Sequence, residues 1–323
     1  MKNDFLTMIE QADTIAITGH VRPDGDCVGS TVGLYNYIIS NYDKQVQIYL
    51  EEFSKDFLFL HDADKISHTP TDQVYDLCIA VDCGDKERQG DFLPIFERAK
   101  STMCVDHHIS NPGFGEVCYV DAEACSAAEA LYKLMEQDKI NKNAAEALYM
   151  GIVHDTGVFK HSNTTKSAMS IAGDLIEKGA NPSFIIDETF YKKTFVANKL
   201  LGIALTKAEQ HADGRIISTV LETEDFRKSG AGKIDTDGIV DQLRITEGTE
   251  TAVFIYQTGE DEYKISLRSN NIVDVSRISC NHGGGGHVRA AGFSMKGDIK
   301  EILAGVIEAV SYTHLTLPTN SRV

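Results

Sequence analysis

Residues 5–185 alternate short apolar runs with longer amphipathic stretches, and this alternation limits the fold more than any other feature of the chain. The runs have the β-branched character of strands, whereas the stretches between them have the apolar spacing of helices. The predicted strands are 14–18, 45–50, 77–82 and 102–105, and the predicted helices are 30–39, 126–138, 144–154 and 166–178. Strands that alternate with helices form a parallel sheet covered on both faces. The sequence therefore predicts an α/β fold, with a parallel sheet in an N-terminal domain of residues 1–185.

A second, smaller α/β domain is predicted beyond residues 179–182, where glycine and proline interrupt the helical pattern. Residues 186–214 are interpreted as a helical connector and residues 215–310 as the second domain. Its predicted strands are 216–221, 251–257 and 263–268, and its predicted helices are 273–280 and 299–309. The tail 311–323 lacks core periodicity, so it is interpreted as read-through or other non-native sequence, with a native disordered tail as the alternative.

Carboxylates and imidazoles stand at the ends of four segments of the N-terminal domain. Because the carboxyl ends of parallel strands share one edge of a sheet, these side chains are expected to lie close together. Each segment alone also fits ordinary turn or helix-cap chemistry, but that interpretation does not explain why all four carry acids. The residues are His20, Asp24 and Asp26 on a tight turn after the first strand, Asp82 ending the third strand, Asp106, His107 and His108 after the fourth strand, and Asp155 ending a helix.

Such a concentration of acids predicts a metal site. Four carboxylates placed close together could not all ionise without cations between them. Oxygen-rich sites with one or two imidazoles suit Mn²⁺ or Mg²⁺ better than structural Zn²⁺. Six ligands are too many for one ion that must also hold substrate, whereas two ions that share a carboxylate are the usual arrangement for phosphoryl hydrolysis. The predicted ligands are His20, Asp24, Asp26, Asp82, His107 and Asp155.

The second domain carries a run of four glycines, 283–286, followed by His287 and Arg289. Such a run lets the backbone approach a ligand closely and form an anion nest, and the two side chains would add charge-assisted contacts. A flexible linker is the alternative, but linkers seldom lead directly into His-x-Arg-Ala-Ala-Gly. The predicted substrate contacts are Arg268, Ser269, Gly285, Gly286, His287 and Arg289, with Arg88, Ser162 and Asn163 as weaker candidates.

Taken together, these motifs resemble those of the DHH phosphoesterases. The resemblance spans residues from about 5 to 310 and includes the glycine-rich signature of the DHH-associated domain, which is the family's nucleotide-binding part. It implies two Mn²⁺ ions per subunit, or Mg²⁺ in their place, and a water between them that attacks phosphorus. In this assignment Asp82 bridges the ions, His20 and Asp24 complete one, and Asp26, His107 and Asp155 complete the other. Asp106 would support the neighbouring histidine, and His108 would contact the scissile phosphate or protonate the leaving oxygen.

Within this family, the length and motifs are most similar to enzymes that degrade short oligoribonucleotides and dephosphorylate 3′-phosphoadenosine 5′-phosphate to AMP. A phosphodiesterase of cyclic-di-AMP turnover, acting chiefly on the linear dinucleotide pApA, is the alternative, because the motifs do not separate the two. An inorganic pyrophosphatase is disfavoured by the nucleotide-type glycine signature. A RecJ-like DNA exonuclease is disfavoured by the short, acidic chain, and a non-enzymatic binding protein by the intact metal positions.

Composition agrees with an enzyme that acts on small nucleotides. The net charge is −17, with 31 basic against 48 acidic residues, whereas proteins that track long polyanions carry basic stripes. We therefore expect short RNA substrates and no long DNA. No apolar run is long enough to span a membrane, no signal peptide is evident, and seven cysteines are scattered, so a cytoplasmic protein without membrane partners is predicted. Cys27, Cys83 and Cys104 are interpreted as small buried hydrophobes. A homodimer is left open.

Overall fold

The computed structural model of the protein describes residues 2–315, which divide into two compact units with their boundary between Lys192 and Lys193. This boundary falls inside the predicted connector. The last helix runs to Leu315, so the first residues of the predicted tail continue a helix, and residues 316–323 lie outside the described residues. Among the described helices, none is both long enough and apolar enough to cross a membrane.

Unit 1 is built on a five-stranded sheet in which every neighbouring pair of strands is parallel, as predicted. The strand order is β2-β1-β3-β4-β5. The strands are β1 (Thr14–Thr18), β2 (Gln45–Tyr49), β3 (Leu77–Val81), β4 (Ser101–Asp106) and β5 (Val117–Val120). The sequence analysis missed β5, because this edge strand has only four residues and all four are half-buried, so its apolar signal is weak.

Helices cover both faces of this sheet. Ile15 and Ile17 of β1 point into the larger core, whereas Ala16 between them joins a smaller cluster with Phe92 and Ile95 on the other face. This alternation follows from the two-residue repeat of a strand. The helices of unit 1 are α1 (Lys2–Gln11), α2 (Gly25–Asn41), α3 (Leu93–Arg98), α4 (Ala127–Leu134), α5 (Lys142–Asp155), α6 (Lys166–Glu177) and α7 (Pro182–Ile186).

Helix α2 begins at Gly25 rather than at the predicted Ser30, and this changes the setting of Asp26. The Asp24 side chain caps the helix by accepting hydrogen bonds from the amides of Asp26 (3.0 Å) and Cys27 (3.1 Å). A carboxylate in this position satisfies amides that have no partner within the helix. The prediction was wrong because Pro23 and Gly25 were interpreted as a turn. Asp26 therefore lies in the first helical turn and not on a loop.

Three glycines spaced four residues apart bring α2 against α5. A Cβ atom added at Gly29 would lie 2.5 Å from the Ala147 carbonyl oxygen, and one at Gly33 would lie 2.8 Å from the Leu148 side chain. At the other end of the contact, Gly25 lies against the His154 ring. The start of α2 thus meets the end of α5, and the two helices approach closely along the face of α2 that carries Gly25, Gly29 and Gly33. The acids at these two helix ends are brought together by this packing.

Unit 2 is a mixed α/β unit with a six-stranded sheet in the order β10-β11-β9-β8-β7-β6. Only the β7–β8 pair is parallel among the pairs of this sheet. The strands are β6 (Glu209–His211), β7 (Ile216–Leu221), β8 (Thr251–Gly259), β9 (Glu262–Ser269), β10 (Gly285–His287) and β11 (Ala290–Lys296). The helices are α8 (Phe195–Thr206), α9 (Thr223–Ser229), α10 (Ile239–Arg244), α11 (Val275–Asn281) and α12 (Ile299–Leu315). The short elements β6, β10, α9 and α10 and the strand β11 were not predicted.

Candidate metal centre

The acids and histidines predicted to cluster do meet at the carboxyl edge of the parallel sheet of unit 1. Different elements deliver them, so their proximity depends on the fold and not on sequence separation. His20 follows β1, Asp24 and Asp26 stand at the start of α2, Asp82 follows β3, Asp106 ends β4 with His107 and His108 after it, and Asp155 ends α5.

Asp82 lies at the centre of the cluster, between two histidines. Its Oδ2 atom is 3.5 Å from His20 Nε2, and its Oδ1 atom is 3.5 Å from His107 Nε2. The side chain is 3% exposed, and Oδ1 has no hydrogen-bond partner among the described residues. An unsatisfied buried carboxylate oxygen is costly unless another group, such as a cation, completes it. Asp82 also has a φ of +58°, a strained conformation typical of functional sites.

The other predicted ligands fall into two sets on either side of Asp82. On one side, His20 Nε2 lies 3.7 Å from Asp24 Oδ1. On the other, His107 Nε2 lies 3.2 Å from Asp155 Oδ2 and 4.0 Å from Asp26 Oδ2. All six predicted metal ligands are therefore brought together, and the carboxylate and imidazole donors fit a hard divalent cation such as Mn²⁺ or Mg²⁺.

Cys27 lies beside the first of these sets, with its Sγ atom within 4.8 Å of ligand atoms of His20 and Asp82. Burial raises the pKa of this thiol to about 11, so the neutral thiol is favoured in the protein without metal. The prediction that Cys27, Cys83 and Cys104 are buried is confirmed.

The pKa values of three residues of the cluster are raised, as expected where negative charges are crowded together. Burial and the charges of Asp82 and Asp155 raise the pKa of Asp26 well above its usual range. Burial also raises the pKa of Asp155 to about 6. Burial opposes protonation of His107, but contact with Asp82 and the charges of the nearby carboxylates outweigh it and raise the pKa of His107 to about 10. The cluster thus retains protons where a bound cation would otherwise balance the charge.

This crowding predicts a pH-dependent effect of Asp155→Asn on the stability of the metal-free protein. The pKa of Asp155 is about 6 in the folded chain, whereas its ordinary value is 3.8. Between these two pH values, the folded form therefore binds more protons at this carboxyl than the unfolded form does. The free energy of unfolding due to this carboxyl therefore falls as the pH rises from about 4 to about 6 and stays low above that. Asparagine does not titrate, so the variant does not lose this stability. The free energy of unfolding of Asp155→Asn should therefore rise by about 2–3 kcal/mol relative to that of wild type between about pH 4 and pH 6.

Denaturant unfolding of both EDTA-treated proteins at several pH values between 4 and 8 would measure this gain. A difference between the two proteins that stays constant across the interval would show that the pKa of Asp155 is not raised.

Asp26 is held in place by the start of α4. Its Oδ2 atom accepts a hydrogen bond from the Ala127 amide (2.6 Å), and its Oδ1 atom accepts one from the Ala128 amide (3.1 Å). Helix N-termini stabilise carboxylates through such unpaired amides. A Cβ atom at Gly151 would lie 2.5 Å from Oδ1, so α5 also leaves room for this side chain. The sequence did not indicate this contact, because about one hundred residues separate the partners.

Asp106 orients His108. Its Oδ1 atom lies 2.8 Å from His108 Nδ1, while its Oδ2 atom accepts a hydrogen bond from Asn111 Nδ2 (2.7 Å). The contact with Asp106 raises the pKa of His108. Asn111 also donates to the Cys83 carbonyl oxygen (2.9 Å), so it joins the loops that follow β3 and β4. The sequence analysis missed Asn111, although its position three residues after His108 makes it visible in the motif.

The chain leaves α5 through a left-handed turn directly after Asp155. Gly157, Val158 and Phe159 have φ values of +55°, +59° and +60°. For a β-branched residue such as Val158 this conformation is an outlier. The Phe159 amide donates to Thr156 Oγ1 (3.1 Å), which helps to hold the turn. Asn163 Nδ2, a weaker substrate candidate, instead donates to the carbonyl oxygens of Asp155 and Cys125 (both 3.1 Å).

In unit 2, the last two glycines of the run, Gly285 and Gly286, belong to an edge strand. Gly285–His287 make up β10, which pairs with β11. A Cβ atom at Gly286 would lie 2.5 Å from the Ala290 carbonyl oxygen, so glycine is required there for the close approach of the two strands. Gly285 and His287 are exposed along this edge. The run therefore offers backbone groups and a histidine to a ligand at the edge of the sheet.

Arg289 and Ser269 hold the loop that follows β9. The Arg289 guanidinium donates to Ser269 Oγ (3.1 Å), to the Val273 carbonyl oxygen (3.2 Å) and to the Asn271 carbonyl oxygen. From the other side, Glu250 accepts hydrogen bonds from the amides of residues 271–273. Ser269 is buried, whereas Arg268 is half-buried with its Nε atom 3.4 Å from Asp241 Oδ1. Arg268, Ser269 and Arg289, which were predicted to contact substrate, thus surround the loop that follows β9.

Models of two protein families match the chain. The model of the DHH family, N-terminal domain, matches residues 14–152, and the model of the DHHA1 domain matches residues 213–311. The first match includes every predicted metal ligand except Asp155, which lies just beyond its end. The second match includes the glycine run.

Curated relatives cover nearly the whole chain. It is 28% identical over 300 residues to the bifunctional oligoribonuclease and PAP phosphatase NrnA of Bacillus subtilis, covering 91% of this chain and 93% of that protein. It is 29% identical over 311 residues to the protein of the same name from Thermus thermophilus, covering 92% of this chain and 89% of that protein. It is 26% identical over 310 residues to the cyclic-di-AMP phosphodiesterase PdeA of Listeria monocytogenes, covering 90% of this chain but 46% of that protein.

Solved structures share the fold. An exopolyphosphatase-related protein from Bacteroides fragilis matches with a TM-score of 0.82 and 24% identity, covering 97% of this chain and 96% of that one. A structure of the exonuclease RecJ bound to manganese matches with a TM-score of 0.52 and 13% identity, covering 98% of this chain and 95% of that one.

Proposed function

This chain belongs to the DHH family, and from that premise we propose that it is a metal-dependent phosphoesterase that degrades short oligoribonucleotides and dephosphorylates 3′-phosphoadenosine 5′-phosphate to AMP. The observation that carries the proposal is the position of Asp82, whose two carboxylate oxygens each face a different histidine. Support for the substrates comes from the relatives in Bacillus subtilis and Thermus thermophilus, which are named for these two activities and match this chain along most of their length.

Two Mn²⁺ ions per subunit, or Mg²⁺ in their place, would supply Lewis-acid stabilisation of the phosphoryl oxygens and a strong nucleophile at neutral pH. His20 and Asp24 would hold one ion, and Asp26, His107 and Asp155 would hold the other, with Asp82 shared between them. The manganese in the RecJ structure supports this choice of metal for the fold. The amides at the start of α4 fix the Asp26 carboxylate before any metal binds.

His108 is proposed to contact the scissile phosphate or to protonate the leaving oxygen. Asp106 lies against Nδ1 of this ring and would hold a proton there, so that Nε2 is the atom that meets the substrate. The raised pKa of His108 favours the protonated ring that a general acid requires. Asn111 keeps the Asp106 carboxylate in place through its own hydrogen bond.

Nucleotide anchoring is proposed for unit 2. The exposed His287 and the backbone of Gly285 and Gly286 would contact the nucleotide at the edge of the sheet, together with Arg268. Ser269 and Arg289 would act by holding the adjacent loop in position. The acidic chain, with a net charge of −17, suits short substrates in the cytoplasm and disfavours long DNA.

A phosphodiesterase acting on pApA is the second candidate function. Its support is the similarity to the Listeria PdeA protein, of which this chain spans about half the length. The same metal centre and the same anchor would serve this reaction, because pApA is also a short nucleotide with a phosphodiester bond. The choice between the two functions therefore depends on the measured preference among substrates.

The proposal predicts that activity depends on a divalent metal and is highest on short ribonucleotides. Exhaustive dialysis against EDTA should abolish hydrolysis, and Mn²⁺ should restore it better than Ca²⁺, because the clustered carboxylates need a cation that activates water. Initial rates would be measured on 3′-phosphoadenosine 5′-phosphate, on RNA of two to ten nucleotides, on pApA and on cyclic-di-AMP.

Full activity after chelation would contradict the metal-dependent mechanism. Rates on pApA that exceed those on every other substrate would instead favour the second candidate function.

A further inference from the structure

Unit 1 contains three arginines, and two of them have guanidinium groups without a partner. Arg98 donates to the Thr71 carbonyl oxygen (2.6 Å) and lies 3.6 Å from Asp72. Arg22 and Arg88 are exposed, and neither guanidinium makes a hydrogen bond or ion pair with any residue between 4 and 312, the range over which side chains are described. Acids outnumber bases in this chain, whose net charge is −17, so an arginine would be expected to pair with a carboxylate. Two arginines on adjacent loops without such a pair are therefore unexpected.

The loops that carry these arginines are fastened together. The Val21 amide donates to the Arg88 carbonyl oxygen (2.7 Å), and a Cβ atom at Gly90 would lie 2.5 Å from the Val21 side chain. Beneath them, Thr18 Oγ1 donates to Gln89 Oε1 (2.7 Å) in a buried position. These contacts place the backbones of Arg22 and Arg88 side by side, so that both side chains start from one rigid support.

Arg22 has an unusual backbone conformation. Its φ is +54°, which non-glycine residues seldom adopt, and its amide donates to Glu51 Oε2 (2.8 Å). Strain of this kind persists only where surrounding contacts hold it, and it concentrates at functional sites. The residue therefore keeps a costly geometry while its charged group stays free.

Both arginines flank the same side of the metal centre. Arg22 lies between His20 and Asp24 in sequence, and Arg88 lies on the loop that follows Asp82. Because Asp82 Oδ2 is 3.5 Å from His20 Nε2 and the Val21 amide donates to the Arg88 carbonyl oxygen, these two loops meet beside His20. The guanidinium groups nevertheless form no ion pair with the carboxylates of the cluster, so they remain available to an external anion.

Resting on the proposed function, we propose that Arg22 and Arg88 form a subsite for a second, non-scissile phosphate of the substrate. A planar guanidinium binds phosphate oxygens through two parallel hydrogen bonds, and a pair of them suits a dianion. The ligand class is a nucleotide with at least two phosphates, such as a 3′,5′-bisphosphate or a short oligonucleotide. Such a subsite would let an acidic enzyme select bisphosphates and dinucleotides over mononucleotides.

Two substrates that differ by one phosphate test this subsite. 3′-Phosphoadenosine 5′-phosphate carries the second phosphate, whereas adenosine 3′-monophosphate does not. The variants are Arg22→Asn, chosen because asparagine tolerates a positive φ, and Arg88→Gln. Arg98→Gln is the matched control, since it removes the same charge from the same unit. We expect each test variant to lose about ten- to a hundred-fold in kcat/KM on the bisphosphate, the usual effect of one charged hydrogen bond.

On the monophosphate, the same variants should change by less than about three-fold, within the spread of ordinary surface substitutions. Calorimetric binding of 5′-AMP and of adenosine to the Mn²⁺-loaded protein gives a readout apart from turnover. Arg22→Asn should weaken 5′-AMP binding about ten-fold and leave adenosine unchanged. Arg22→Lys, which keeps the charge without the planar fork, should fall between wild type and Arg22→Asn.

Equal losses on both substrates, or no loss on either, would overturn the subsite. If wild type failed to hydrolyse the bisphosphate but bound 5′-AMP in an Arg22-dependent way, the proposed function would fail and the subsite would stand. If wild type hydrolysed the bisphosphate and the variants matched it in rate and in 5′-AMP binding, only the subsite would fail.

Discussion

Asp82→Asn is expected to lower kcat by at least about 1,000-fold, which corresponds to about 4 kcal/mol of lost transition-state stabilisation. Asp82 has one carboxylate oxygen towards His20 and the other towards His107, so the substitution removes a carboxylate that faces both ligand sets. Asparagine tolerates the φ of +58° at this position, so the backbone should be preserved. Steady-state rates on 3′-phosphoadenosine 5′-phosphate and metal content of the purified variant would measure the effect.

Asp261→Asn provides the matched control for this experiment. Asp261 is exposed in unit 2, and its φ of +55° is close to that of Asp82. The control therefore makes the same chemical change in a similar backbone conformation in unit 2, whereas the predicted metal ligands belong to unit 1, and it should keep wild-type rates. An Asp82→Asn variant that kept more than a few per cent of the wild-type rate would require another residue to be the shared ligand.

Gly29→Ala is expected to reduce activity by about 100-fold or more, although Gly29 is buried between α2 and α5 and is not one of the predicted ligands. Its new methyl group would lie 2.5 Å from the Ala147 carbonyl oxygen and 2.7 Å from the Gly151 amide nitrogen, both of which are backbone atoms that cannot rotate away. Helices α2 and α5 must then separate, and this moves Asp24 and Asp26 relative to Asp155. A displacement of about 1 Å in a catalytic arrangement can cost about 100-fold in rate.

The same substitution should destabilise unit 1 by about 1–3 kcal/mol through overpacking. Gly173→Ala in α6 is the control, because its Cβ position has no atom within 4 Å. There, alanine should stabilise the helix by up to about 1 kcal/mol, since it loses less conformational entropy than glycine. Denaturant midpoints and rates for both variants would be compared. Gly29→Ala with wild-type activity would show that the ligand spacing does not depend on this helix contact.

The sequence was sufficient for the sheet of unit 1 and for the acids that meet at its edge. Strands β1, β3 and β4 are buried apolar runs, and each is followed by a turn that carries Asp or His. Because the rule for parallel sheets places such turns at one edge, the convergence of His20, Asp82 and His107 could be predicted without coordinates. Residues that act through periodicity and chain direction are therefore accessible to sequence reasoning.

The supporting contacts were not accessible in this way. The bonds from α4 to Asp26, the packing of Gly29 on Ala147 and the link from Val21 to Arg88 join residues that are distant in sequence. None of these residues has a chemical character that indicates its partner. The glycine run shows the same limit, since four glycines are compatible with a nest, a linker or an edge strand until the pairing with β11 is known.

The edge strand β10 has a consequence for the behaviour of the protein at high concentration. A free strand edge can pair with another chain, and natural proteins protect such edges because this pairing leads to aggregation. Here the edge has three residues, two of them glycines, and glycine has a low tendency to extend a sheet. A short edge without apolar side chains gives little stabilisation to a second copy of the chain. The residues that would offer backbone groups to a ligand are thus also the ones that weaken pairing with another chain at this edge.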